Sequence, residues 1–180
     1  MAPQLRPHLL ELLCPGVRIR GTAVTHVRVS DMMNEADIWL PMTSLELWSI
    51  PAAETDEPER RDVGHVRKSS IEVVAEASKV DTGHAPNELG FHVVKTPRRV
   101  LVQTANFAIR ADLHVTNQTD ISQTLDVFRG TFLPLTTATA TPTSQDRKSG
   151  PFSRHFMMVN IDRVNLICDA AEAPPMMFPD

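Results

Sequence analysis

The sequence predicts a mainly β protein: two tandem small β-sheet or barrel-like domains with short helical turns, fused head to tail. Three observations predict it. The string Leu40-Pro41-Met42-Thr43-Ser44 returns as Leu133-Pro134-Leu135-Thr136-Thr137, at an offset of 93. The same offset, without a gap, carries Val66 onto Val159, Ile71 onto Val164, Val73 onto Leu166 and Val74 onto Ile167. Between these points apolar and polar residues alternate at period two, the pattern of half-buried strands. Upstream the offset slips, to 92 at Val29-Ser30 and Ile121-Ser122, and to 90 at Arg20-Gly21 and Arg110-Ala111. Rigid spacing between strands with small slips at loops is the mark of a diverged duplication.

Each copy is read in the same order. An amphipathic β segment comes first, Val17, Ile19 then Ala23, Val24, or Val100, Val102 then Phe107, Ile109. A short helical turn follows at Ser30–Asn34 or Asp120–Leu125, where Ser30 or Asp120 suits the N-cap because a side-chain oxygen there takes up an orphan N–H. Strands come next at Ile38–Leu40 and Leu45–Ile50, or Thr131–Leu133 and Thr136–Thr141. Pro41 and Pro134 lie between them and mark an edge, bulge or bend, since proline donates nothing to a ladder. After a polar loop, each copy closes with Val63–Val66 and Ile71–Ala75, or Phe156–Ile161 and Val164–Cys168, as a hairpin or bent strand. The expected layout is an N-terminal helical segment at 1–15, copy one at 16–77, a linker at 78–96, copy two at 97–170 and a proline-framed apolar tail at 171–180.

Each half resembles a small bacterial β-domain family to which no activity is attached. Copy one carries the family's Gly21, its Ser30-Asp31-Met32-Met33-Asn34 turn and Leu40-Pro41-Met42-Thr43; copy two carries Phe132-Leu133-Pro134-Leu135-Thr136 and Val159-Asn160. Copy one lacks the Val-Asn pair, with Arg67 after Val66, and copy two has Ala111 for the glycine. A looser similarity, in Asp31-Met32-Met33-Asn34 followed by Ile38 and Leu40, is to Sm-like barrels. That resemblance implies ligand or RNA binding at the level of fold alone.

Composition narrows the function classes. Of 180 residues 42% are hydrophobic and 22% charged, so the chain can bury a core and is not of disordered type. The formal net charge is −4, which argues against nucleic acid as the main partner, although basic pairs occur at Arg60-Arg61, Arg67-Lys68 and Arg98-Arg99. Two cysteines far apart, Cys14 and Cys168, indicate neither a zinc site nor a disulfide framework. No apolar run approaches the ~18 residues of a membrane span, and no secretory pattern opens the chain, so the expected location is cytoplasmic.

Candidate chemistry is sparse. Asp81-Thr82-Gly83 is the aspartic-protease triplet, but it has no second copy and falls in the linker, where Asp and Gly form turns. His84 and His92, with Asp81 and Glu88, make the densest titratable cluster, without metal-ligand spacing. No nucleophile elbow, dinucleotide loop or phosphate loop is present. The expectation is therefore a non-enzymatic assembly, scaffold or adaptor protein, without cofactor or metal, working through a protein partner or self-association. The residues expected to bind the partner are Leu9, Leu12 and Leu13, in an apolar N-terminal stripe with Leu5 and Leu10, and Met176, Met177 and Phe178 in the tail. The alternative is an Sm-like ligand- or RNA-binding regulator.

Overall fold

A computed structural model of the chain describes residues 4–50, 57–77, 95–116, 119–143 and 150–170. Within them ten strands form one antiparallel sheet with two short helices. The first half supplies β1 (Arg6–Cys14), β2 (Val17–Thr25), helix α1 (Val29–Asn34), β3 (Trp39–Ser49), β4 (Glu59–Arg67), a 3₁₀ turn (Lys68–Ser70) and β5 (Val73–Glu76). The second supplies β6 (Lys95–Thr104), β7 (Phe107–Thr116), helix α2 (Ile121–Val127), β8 (Phe132–Pro142), β9 (Phe152–Asn160), a second 3₁₀ turn (Ile161–Arg163) and β10 (Val164–Asp169). The strand order is β10-β6-β7-β8-β9-β5-β1-β2-β3-β4. The succession 5-1-2-3-4 of the first half thus recurs as 10-6-7-8-9 in the second, and the β5–β9 ladder joins them.

The first nine strand residues correct the expected N-terminal helix. Arg6–Cys14 is β1, paired along its whole length with β2. Pro15-Gly16 forms the two-residue connection, with Gly16 at φ 74°, a conformation that glycine adopts freely. The spacing of Leu9, Leu10, Leu12 and Leu13 fits a helix face, but it also fits a strand covered on both sides. Leu10, Leu12 and Cys14 enter one core, and Leu13 points the other way into a second.

Local irregularities repeat with the strands. β3 and β8 are each continuous through their proline, where the sequence suggested two strands apiece. β2 reaches β3 only as far as Thr43, so Pro41 pairs with β4 alone; Pro134 likewise pairs only with β9. Neither proline breaks a ladder bond on the side that lacks a neighbour. Next to each proline the register shifts, between Arg20 and Thr22 and between Arg110 and Asp112. Within these bulges, on β3 and β8, Ser44 and Thr137, at equivalent positions, hold positive φ of 52° and 48°. A β-branched residue there is strained. The caps diverge: Asp120 accepts from Gln123 N at 2.8 Å in a reciprocal capping box, whereas Ser30 lies inside α1, whose N-cap is Arg28.

Thr137→Gly is expected to leave the urea midpoint unchanged or raise it, because glycine removes the left-handed strain. Thr141→Gly, at an ordinary site of the same strand, should cost about 0.5–1 kcal/mol. Equal losses at both sites would show that Thr137 stores no strain.

Candidate interaction surfaces

The joint between the halves is the best-built surface in the molecule. Val73, Val74 and Ala75 of β5 pair with Val159, Met158 and Met157 of β9, and all six are fully buried. Alternation along β5 sends Val73 and Ala75 into the core of the second half, with Leu13, and Val74 into that of the first. In return Phe132 and Met158 of the second half fill the core of the first. Helix α1 lies against β8, burying Val29, Met32 and Met33 beside Phe132.

Polar groups clamp the same seam. Asn34 Oδ1 accepts from the N–H of Thr131 (2.7 Å) and Phe132 (2.8 Å), while its Nδ2 donates to the carbonyls of Ser30 and Phe132. Glu72, 1% exposed, accepts from Thr104 Oγ1 and Asn106 Nδ2, both at 2.5 Å. Asn160 donates to the carbonyls of Ile71 and, through its backbone, Glu72. Arg163 donates to the Ser69 carbonyl. Glu11, also 1% exposed, is held between the guanidinium groups of Arg18 and Arg154. Those groups stack on rings, Arg18 over Trp48 and Phe152 at 5.1 and 5.3 Å and Arg154 over Phe152 at 4.2 Å. Removing both arginines strands a buried carboxylate and is expected to cost about 3–5 kcal/mol in urea unfolding. Glu11→Leu, which installs the residue type of the equivalent Leu101, should cost clearly less because both arginines can turn to water. The reverse ranking would remove Glu11 from the seam's energetics.

Two further titratable groups are buried near it. Lys68 Nζ donates to the carbonyls of Met32 (2.6 Å) and Glu35 (3.2 Å), closing the C-terminal end of α1. Burial lowers its pKa against the opposing pull of Asp37 and Glu35. Burial, aided by Glu72, pushes the Cys14 thiol up to about 11 despite the Ser70 hydrogen bond and Arg163. Thiolate is the reactive form, so iodoacetamide at pH 8 should leave Cys14 unmodified until the chain is unfolded in urea. Rapid native labelling of Cys14, read by peptide mass, would contradict this burial.

Among the described residues the sheet ends on β4 and β10, each with a neighbour on one side only. Large apolar side chains stand in water on both edge strands, Val63 on β4 and Leu166 on β10, and Ile38 and Trp39 do so at the start of β3, next to β4. At the offset of 93, Trp39 corresponds to Phe132 and Leu166 to Val73. Trp39 is 52% exposed and Leu166 48%, whereas Phe132 and Val73 are each 0% exposed at the joint. Helix α2, the equivalent of α1, buries no residue fully.

Of the residues chosen from sequence, the described ones, Leu9, Leu12 and Leu13, are on β1 and not on these edge strands. Leu12 and Leu13 are core residues, 0% and 3% exposed, and Leu9 is half-buried with its carbonyl accepting from Ala77 N. Burial leaves Leu12 and Leu13 no surface to offer a partner. Met176, Met177 and Phe178, the Asp81-Thr82-Gly83 triplet, His84, Glu88 and His92 lie outside the described residues. Sequence reading missed Trp39 and Leu166, although the repeat register aligns each with an apolar residue of the other half. Among the described residues no group of three or more His, Cys, Asp or Glu side chains is placed to hold a metal, and no helix is long and apolar enough to cross a membrane. No protein-family model, no curated protein and no solved structure matches the chain.

Proposed function

We propose that this chain is a non-enzymatic assembly protein, a scaffold or adaptor acting by protein–protein association, which arose by tandem duplication of one β-domain. The observation that carries the reading is the pair of edge strands, β4 and β10, that have a neighbour on one side only among the described residues, with Trp39 beside one and Leu166 on the other exposed where their equivalents, Phe132 and Val73, are fully buried. Unpaired edge strands are templates for another chain, and most proteins blunt them with charge, proline or a covering loop. Edge strand β4 does carry charge, with Glu59, Arg60, Arg61, Asp62 and Arg67 exposed, yet Trp39 beside it on β3 and Leu166 on β10 leave about half of a large side chain in water. Native mass spectrometry of the protein purified gently from its host is expected to show a discrete complex, either of this chain alone or with another protein. A monomer carrying only a small molecule or RNA would overturn the reading.

The second reading, an Sm-like ligand- or RNA-binding regulator, is favoured by the stack of Arg18 and Arg154 on Phe152 and Trp48. Exposed aromatic and guanidinium faces are surfaces on which bases stack. Glu11 neutralises part of that charge, which is why this reading ranks second. RNA binding that weakens steeply with salt would support it, since phosphate contacts release counterions. Absence of a shift in low salt would remove it.

A further inference from the structure

We infer that the partner of each open edge is a second copy of this chain: β10 of one molecule pairs antiparallel with β4 of the next, repeating the internal β5–β9 joint head to tail. The inference rests on the assembly reading above and names its partner.

The strand order places β5 and β10 in the same position of their halves, and likewise β4 and β9. The chain therefore already contains one solved example of how the front edge of one half receives the back edge of another. The two edges without a neighbour among the described residues, β4 and β10, are the unused counterparts of those same surfaces. Carrying the internal register over by the offset of 93 pairs Leu166 with Val66, Ile167 with His65 and Cys168 with Gly64 of the next molecule, from the observed pairs Val73–Val159, Val74–Met158 and Ala75–Met157.

The side chains follow the backbone. Leu166 and Cys168 stand where Val73 and Ala75 cross into the neighbouring core, and Val66, their expected neighbour, is only partly buried against its own core. Trp39 stands where Phe132 crosses the other way, and the receiving residues Ile121, Leu125 and Phe128 are partly buried on the core of the second half. At the internal joint the equivalent helix α1 is held by Asn34, whose amide oxygen takes two backbone N–H groups. Asp126 occupies that position in α2, and a carboxylate accepts the same two bonds, here from Ile38 and Trp39.

The polar clamps are only partly kept. Arg154 has Arg61 as its equivalent, but Glu11 has Leu101, so the buried Glu11 pair has no equivalent between molecules. The intermolecular joint keeps the apolar exchange and loses that ion pair, so it is expected to form and dissociate with concentration. Such an interface is heterologous: it closes into a ring where the rotation per molecule permits, and otherwise extends as a filament.

The test uses the full chain and two single-edge variants, Val66→Asp on β4 and Leu166→Asp on β10. Wild type is expected to give masses at integral multiples of 20.0 kDa that grow with concentration in light scattering and native mass spectrometry. Each variant alone has one blocked edge and should stay monomeric. Mixed, they retain one good edge each and should form a 1:1 heterodimer and nothing larger. Single-edge variants that still dimerise alone would show a two-fold edge pairing and overturn the inference, as would a mixture that stays monomeric. Circular dichroism establishes that each variant is folded. If either is not, the register is read in a Cys168→Ser background, where His65→Cys with Ile167→Cys should give intermolecular disulfides. His65→Cys with Asn165→Cys should give far fewer; equal yields, or none with the first pair, would overturn the register. A wild type that is monomeric by itself but carries a stoichiometric different protein would sink the self-pairing and leave the assembly reading standing; a monomer with neither would sink both.

Discussion

Strand β5 is four residues long, and both cores are built on it. Its pairing with β1 on one side and β9 on the other places it where the sheet is covered on both faces, so that consecutive residues serve different cores. This placement dictates composition: a strand buried on both faces reads as a nearly unbroken apolar run, as in Ile71, Val73, Val74 and Ala75, and as in Met157-Met158-Val159 opposite. It also dictates where buried polarity is tolerated. Glu72, Asn160 and Glu11 sit at this seam, and each has its hydrogen-bonding capacity met by a group from the other half.

The two halves are therefore not independent beads. Phe132 completes the first core and Leu13 the second, so separating the halves would open both. The asymmetry of the chain follows from the same fact. Helix α1, with a neighbouring half to lie on, buries Val29, Met32 and Met33; α2, without one, buries nothing fully and leans on its Asp120–Gln123 capping box. A helix of about two turns has little stability of its own, and what an α1-type helix obtains from packing an α2-type helix must find in local hydrogen bonds.

Legibility in the sequence varied with the kind of constraint. The period-two alternation of β2 and β7 identified half-buried strands correctly, because one wet face and one dry face leave a readable signature. β1 failed for the opposite reason: with both faces dry, its leucines lost alternation and imitated a helix stripe. The Pro15-Gly16 turn that follows was the signal that favoured a hairpin. Pro41 and Pro134 were read as an edge, bulge or bend between two strands; each sits near a bulge at a point with a neighbour on one side only, but within a single continuous strand. Which ladder a residue lacks is a property of the sheet, not of the residue.

The sequence by itself determined a mainly β chain and an internal register, the offset of 93 that aligns Leu40 with Leu133 and Val73 with Leu166, because strand spacing and apolar periodicity are local properties of the chain. It did not determine that β5 leaves β4 to pair with β1 and β9, that Leu12 and Leu13 are interior, or that β4 and β10 are the edges left open. Those are decided by long-range pairing. An edge is defined by the absence of a neighbour, and Leu166 and Val73 look alike in sequence, though only one of them has another half of the molecule to cover it.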